Sequence, residues 1–369
     1  MEPRALDGFV IGVTADRRAE EQIELLHRHG ARALHGPTLR TLPLVADAAL
    51  RANTEALLRD PPALVLANTA LGIRSWLSAC ESWGLGAEVA DVLRASEIVA
   101  RGPKAAGSLV TIGCEVAWRS PSGRLSEVIA HLLDRPLTGV RVASQRDGSE
   151  VDRAALALRA AGADVVEIGT YRWERPEDEA PAARLLDAVV DQSLDAVTFT
   201  SAAAVGNFFA LATDRRQTDA VRSACAQSVI PVCVGPVTQE AAMAHGLPAA
   251  IAPPRPLLGA MVNAVVDAVA RRRVRGDLAD HALEVAGTLA IVGGRRVELT
   301  VREAAVLRVL AQRAGVVVSK RALLDAVWRD ELVDQHALEV VVSRLRRQLG
   351  PAGSSLRTVI RRGYMLAAR

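Results

Sequence analysis

The sequence predicts two doubly wound α/β domains followed by a small α+β module. From residue 9 to about 253, short runs that are almost continuously apolar alternate with helical patterns. Such runs have the composition of parallel strands covered on both faces by crossover helices. Near Ala270 this alternation gives way to an Arg-rich stretch with a different order of elements. A chain of 369 residues, half of them apolar and 24 % charged, exceeds what one core organises and can bury several.

Taken in order, FVIGVT (9–14) precedes a helix over about Glu20 to His29 that stops at Gly30, and ALVLAN (63–68) precedes Leu71 to Ala79. RVASQ (141–145) precedes Asp152 to Ala161, which stops at Gly162; DVVEIG (164–169), DAVTFT (195–200) and IPVCVG (230–235) repeat the unit. ARALHGP after Gly30 and ADVVEIG after Gly162 follow similar helices, a sign of internal duplication. Three turns lie where a strand hands over to a helix, at Thr69, Ser201 and Thr238. A hydroxyl and free N–H groups at a helix start favour an anion, and the same residues serve equally as helix N-caps. Lys104, in the turn ARGPKA, is either a carboxylate contact or a solvated lysine. His27, His29 and His35 form no metal set with a nearby cysteine, so they read as surface or helix-end residues and no metal site is expected.

Charge divides the chain. Residues 271–369 hold 19 Lys and Arg against 10 Asp and Glu, whereas residues 1–270 hold 26 against 32. A basic appendage on an acidic body fits a polyanion partner, because neutralising phosphates requires clustered positive charge. ARRRVRGD, from Ala270, reads as the start of a basic linker over 271–286. The longest charge-free stretch, Ala196 to Thr213, contains Thr198, Thr200, Ser201, Gly206 and Asn207, which excludes a membrane span. MEPRALDG lacks a basic-then-apolar signal pattern, and Cys80, Cys114, Cys225 and Cys233 show no CxxC pairing. A reduced cytoplasmic protein without structural zinc or disulfides is expected.

In the last 80 or so residues, Thr300 and Glu303 have capping-box spacing ahead of the apolar face Val306, Leu307 and Leu310. Ser319 caps the next helix, whose Leu323, Leu324 and Val327 point inward. The final helix, about Asp334 to Leu349, buries Leu338, Val341, Val342, Leu345 and Leu349 and leaves Ser343, Arg344, Arg346 and Arg347 on its other faces. With RRVELT before them and RTVIRRGYML after, these elements resemble the winged-helix DNA-binding domain of OmpR-type regulators over 287–369. The resemblance implies double-stranded DNA as partner and a recognition helix in the major groove, with Arg344 reading a base. It places Trp328, His336, Ser343, Arg346, Arg347, Thr358 and Tyr364 among the remaining DNA contacts. At the wing, Ile360-Arg361-Arg362-Gly363-Tyr364 has one glycine fewer than the family's usual tip, which brings Arg361 and Arg362 forward as minor-groove residues. Other transcription regulators or RNA polymerase are possible partners of such a domain.

Regulators of that type commonly begin with a phosphorylatable receiver, which needs paired acids after its first strand. Here that strand ends Val13-Thr14-Ala15-Asp16-Arg17, so a receiver is excluded. Instead IVARGPKAAGSL, GTYRW, DAVTFTSAAAVGNFF and IPVCVGPVTQEAAMAHGLPAAIAPP resemble uroporphyrinogen-III synthase in order and spacing over about residues 5–270. That resemblance implies two α/β lobes joined by a two-stranded connector: residues 1–40 with 174–270 as the first, residues 42–170 as the second. It implies a tetrapyrrole or other polycarboxylate ligand held by Thr69, Lys104, Ser201 and Thr238, no cofactor, and Tyr171 as proton donor to a leaving hydroxyl. The turn Asn68-Thr69-Ala70 departs from the family's usual Thr-Ser. Three functions follow: a transcription regulator whose body is a ligand sensor, an active synthase carrying a regulatory domain, or a scaffold with a degenerate body. The first is favoured, because the DNA-binding elements are nearly complete whereas the hydroxyls of the body all double as caps. Control of sirohaem-dependent metabolism, such as nitrite assimilation, is the pathway expected from the resemblance.

Overall fold

The computed structural model describes residues 4–44, 46–149, 151–278, 281–328 and 333–367. It divides into two compact units, Leu39–Glu177 and the combination of Met1–Thr38 with Asp178–Arg369.

The Leu39–Glu177 unit is built on a five-stranded parallel sheet in the order Trp118–Arg119, Glu97–Ala100, Leu64–Ala67, Arg141–Gln145, Asp164–Ile168. All four residues of Leu64–Ala67 are buried, because helices cover both sheet faces and leave no solvent side for a polar residue. Val65 and Ala67 pack with Ile73 and Trp76 on one face, Leu64 and Leu66 with Val128 and Leu158 on the other. The chain order reverses between Leu64–Ala67 and Arg141–Gln145, which opens a crevice at their carboxyl ends. A separate antiparallel pair joins Arg40–Pro43 to Tyr171–Glu174, with Pro43 opposite Tyr171.

The other unit contains a four-stranded parallel sheet, Ile230–Cys233, Ala196–Phe199, Val10–Val13, Arg32–His35. Its order reverses between Ala196–Phe199 and Val10–Val13, the same plan as in the first unit. Phe199 meets Phe208 edge-on at 5.4 Å on one side, and Ile11, Val232 and Met261 fill the other. This unit continues directly into the C-terminal module.

That module starts earlier than the sequence suggests. The stretch read as a basic linker, 271–286, instead enters an antiparallel meander of Val274–Leu278, His281–Ala286, Leu289–Val292 and Arg295–Glu298. In Val274–Leu278 the exposed Arg275 and Asp277 lie between Val274 and Leu278, which pack on the module core, so a charge run conceals an edge strand. Three helices follow, Val301–Ala311, Lys320–Val327 and Gln335–Leu349, and then the hairpin Leu356–Val359 with Gly363–Leu366. Thr300 and Glu303 form the expected capping box, while Ser319 and Asp334 cap the later helices. Leu307, Leu310, Leu323, Leu338, Leu345 and Leu366 are fully buried in one core, each contributing about 1.5–3 kcal/mol. Among the described residues, no helix is long and apolar enough to cross a membrane.

Candidate ligand and nucleic-acid sites

In the Leu39–Glu177 unit the reversal point gathers the carboxyl ends of three strands. Thr69 caps the helix Ala70–Ser82, its Oγ1 accepting from Gly72 N–H at 3.1 Å. The Oε1 of Gln145, at the end of the neighbouring strand, accepts from Thr69 N–H at 2.8 Å. Tyr171 is 5 % exposed. Its hydroxyl donates to Asp147 O at 2.8 Å and lies 3.2 Å from Thr69 Oγ1. Arg101, one residue past the strand Glu97–Ala100, pairs with Asp147 at 3.0 Å and donates to Gly123 O at 3.0 Å. Lys104 is exposed at the second position of the helix Pro103–Val110. The structure therefore joins Thr69 to Tyr171 and adds Gln145, Arg101 and Asp147, which sequence reasoning missed. Tyr171 must release the Asp147 carbonyl before its proton can serve a bound molecule.

The matching point in the other unit is occupied by hydroxyls. Thr14 Oγ1 donates to Thr198 O at 2.7 Å, Gln22 Nε2 donates to Thr198 Oγ1 at 2.7 Å, and Thr198 Oγ1 donates to Gly12 O at 2.8 Å. The Oε1 of Gln22, fully buried, has no hydrogen-bond partner among the described residues. Ser201 caps the helix Ala202–Asp214, accepting from Ala204 N–H at 3.1 Å. Thr238 corrects the expectation of a helix N-cap: Gly235 takes the cap position, and Thr238 lies buried in the first turn of Pro236–Ala244. The signal for this was the Gly-Pro pair, since proline favours the first helical position and so puts the cap on the residue before it.

On the module, the helix Gln335–Leu349 buries Leu338, Val342, Leu345 and Leu349, with Val341 half-buried. Ser343, Arg344 and Arg347 are exposed, and neither arginine forms an ion pair among the described residues. His336 is exposed 4.0 Å from Glu339, which pairs with Lys320 at 2.6 Å. The bond to Lys320 holds the Glu339 carboxyl below its usual range and raises the lysine. Arg346 differs from expectation, because its guanidinium donates to Leu356 O and Thr358 Oγ1, both at 2.8 Å, and ties the helix to the hairpin. Trp328 and Tyr364 also differ: they are only 6 and 4 % exposed. Trp328 packs into the core with the Arg302 guanidinium 5.2 Å from its ring centroid, and Tyr364 pairs with Val318. Burial pushes the Tyr364 hydroxyl up. At the hairpin tip Ile360, Arg361 and Arg362 are exposed, and Arg361 holds the left-handed backbone (φ 59°) that a glycine would adopt without strain.

With this geometry in place, the comparisons with known proteins divide at the same point. A family model described as Uroporphyrinogen-III synthase HemD matches residues 20–263. The chain belongs to the uroporphyrinogen-III synthase HemD family. A second model, Transcriptional regulatory protein, C terminal, matches residues 294–366. The structure of a mutant uroporphyrinogen III synthase from the extremely thermophilic bacterium Thermus thermophilus is 25 % identical, covers 71 % of this chain and 99 % of its own, and superposes with a TM-score of 0.61. A Bacillus subtilis relative, uncharacterized protein YjjA, is 25 % identical over 70 % of this chain and 95 % of its own length. The cholera toxin transcriptional activator of Vibrio cholerae is 38 % identical over 78 residues, 20 % of this chain and 26 % of the activator. The chain is thus a HemD-type synthase-like body fused to an OmpR-type module of the kind that binds double-stranded DNA.

Proposed function

We propose that this regulator senses an acidic tetrapyrrole, or a similar polycarboxylate, through its HemD-type body and adjusts its hold on DNA in response. The observation that carries this reading is a contrast between the two sites. Arg344 and Arg347 stand exposed on the last helix without ion-pair partners among the described residues, whereas Tyr171 is committed to the Asp147 carbonyl and Thr69 to Gly72 and Gln145. The DNA face is ready to act; the body is arranged to hold a ligand more than to turn it over. Anions are served by the helix starts at Thr69 and Ser201, and the exposed Lys104 adds positive charge. Control of a tetrapyrrole-consuming process such as sirohaem-dependent nitrite assimilation fits such a ligand.

A second reading, an active synthase, is favoured by the pairing of Thr69 with Tyr171 at 3.2 Å. Incubation of the full chain with enzymatically generated hydroxymethylbilane separates the two. A sensor leaves the spontaneous type I uroporphyrinogen as product. Formation of type III above that background would establish synthase activity and overturn a purely sensory body.

A further inference from the structure

The N-terminal lobe and the DNA-binding module meet backbone to backbone. Thr288 N–H donates to Gly8 O at 3.0 Å. A Cβ on Gly287 would stand 2.1 Å from Gly8 O, and one on Gly8 would stand 2.3 Å from Ala286 O, so neither position accepts a side chain. Ala286, the last residue of a module strand, packs in the lobe core with Leu6 and Phe9, while Val285 beside it belongs to the module core. One strand therefore serves both cores.

Around this contact lies a set of arginines with few acids. Arg273, its side chain 8 % exposed, donates to Arg4 O at 2.9 Å and Ala5 O at 3.0 Å and pairs with Glu284. Arg296 of the module pairs with Asp7 of the lobe at 3.2 Å. Burial opposes ionisation of Asp7, but the bonds from Arg296 and the Arg4 N–H outweigh it and hold the carboxyl below its usual range. Arg308, on the helix Val301–Ala311, donates to Gly287 O at 3.0 Å, and its Nε has no partner among the described residues. Arg272 donates to Asp195 O at 3.3 Å and to Ser228 O. Asp195 is the acid facing both Arg272 and Arg308, with Arg32 further along, and it also accepts from Val10 N–H at 2.9 Å. Its burial raises the carboxyl, opposed by the Val10 N–H and by those arginines.

We propose that these contacts form a fixed joint that makes lobe and DNA module one rigid body, with Asp195 as its counter-charge and the stretch Arg271–Arg275 as its seam. The module does not swing on a tether. Ser343, Arg344, Arg347, Arg361 and Arg362 remain exposed with the joint closed, so DNA is engaged without release of the module. Asp195 directly precedes the strand Ala196–Phe199, whose far end leads to the Ser201 cap. A change at that turn is transmitted along one buried strand to the joint. The joint itself stands independently of any ligand.

Limited trypsin digestion of the full chain tests it, because a basic seam is an ideal substrate unless it is folded. In the native protein, cleavage at Arg271–Arg275 is expected to be far slower than at exposed loops. Arg308→Glu, which sets a second acid beside Asp195, and Gly287→Val, which wedges the backbone contact, should each speed cleavage there by roughly a hundred-fold, in proportion to the open population. Asp195→Asn keeps an acceptor for Val10 N–H and should act in the same direction. Should a variant fail to fold, a second measurement on the native chain decides: spin labels at Glu20→Cys in the lobe and Arg321→Cys in the module, with the four native cysteines buried, should give one narrow distance. Rapid native cleavage at the seam, a broad distance distribution, or folded Arg308→Glu and Gly287→Val proteins cut no faster than the native one would each overturn the joint.

Discussion

Gly363→Ala is expected to unfold the C-terminal module while the body keeps its parallel sheets. Gly363 has φ 141°, and a Cβ there would lie 2.0 Å from Val318 O and 2.8 Å from Ser319 Cα. No side chain can yield, since both obstacles are backbone. The hairpin would have to leave Val318, breaking the pair in which Tyr364 N–H donates to Val318 O at 2.9 Å and Val318 N–H donates to Tyr364 O at 2.8 Å. Tyr364 and Leu366 would lose their cover. Backbone strain, two hydrogen bonds and lost burial together amount to about 3–5 kcal/mol. That approaches the whole stability of a small domain, about 5–15 kcal/mol. Thermal unfolding followed by circular dichroism should reveal an early transition absent from the native chain, with DNA binding lost at the same temperature. An unchanged melting profile would show that the hairpin is not anchored at Val318.

The second large effect is on sequence discrimination. Arg344 is exposed on the helix Gln335–Leu349 and forms no ion pair among the described residues, whereas Arg346 on the same helix is tied to Leu356 and Thr358. A guanidinium that can reach a guanine edge with two parallel hydrogen bonds contributes about 1–3 kcal/mol of preference for that base. Arg344→Ala should therefore lose roughly that much on a site selected from a random duplex pool and much less on random duplex, read as the ratio of the two affinities. Equal losses on both would assign Arg344 to the phosphate backbone.

Much of this was legible in the sequence for identifiable reasons. Continuous apolar runs such as Leu64–Ala67 declare strands buried on both faces, and local caps such as Thr300 with Glu303 declare helix starts. Local signals fail where tertiary structure decides. Arg101, the pair Gln145 and Asp147, and Tyr171 come from three separate segments and meet only because two parallel strands end beside the antiparallel pair that carries Tyr171. Arg271–Arg275 reads as a solvated charge run, yet Arg273 is nearly buried against Arg4, Ala5 and Glu284. Trp328 and Tyr364 carry polar atoms that suit a DNA surface, but their rings complete the module core. Thr238 was displaced from its expected cap by the preceding Gly-Pro pair.

The proposed coupling of a ligand-sensing body to a DNA-binding module has a thermodynamic signature that cannot be one-sided, since two ligands linked through one protein must change each other's affinity by the same factor. Uroporphyrinogen III titrated into the full chain, with and without duplex DNA selected by the chain itself, measures that factor directly. A sensor gives two different ligand affinities, and their ratio equals the change in DNA affinity on saturation with ligand. Identical affinities in the two titrations, or no binding in either, would contradict it.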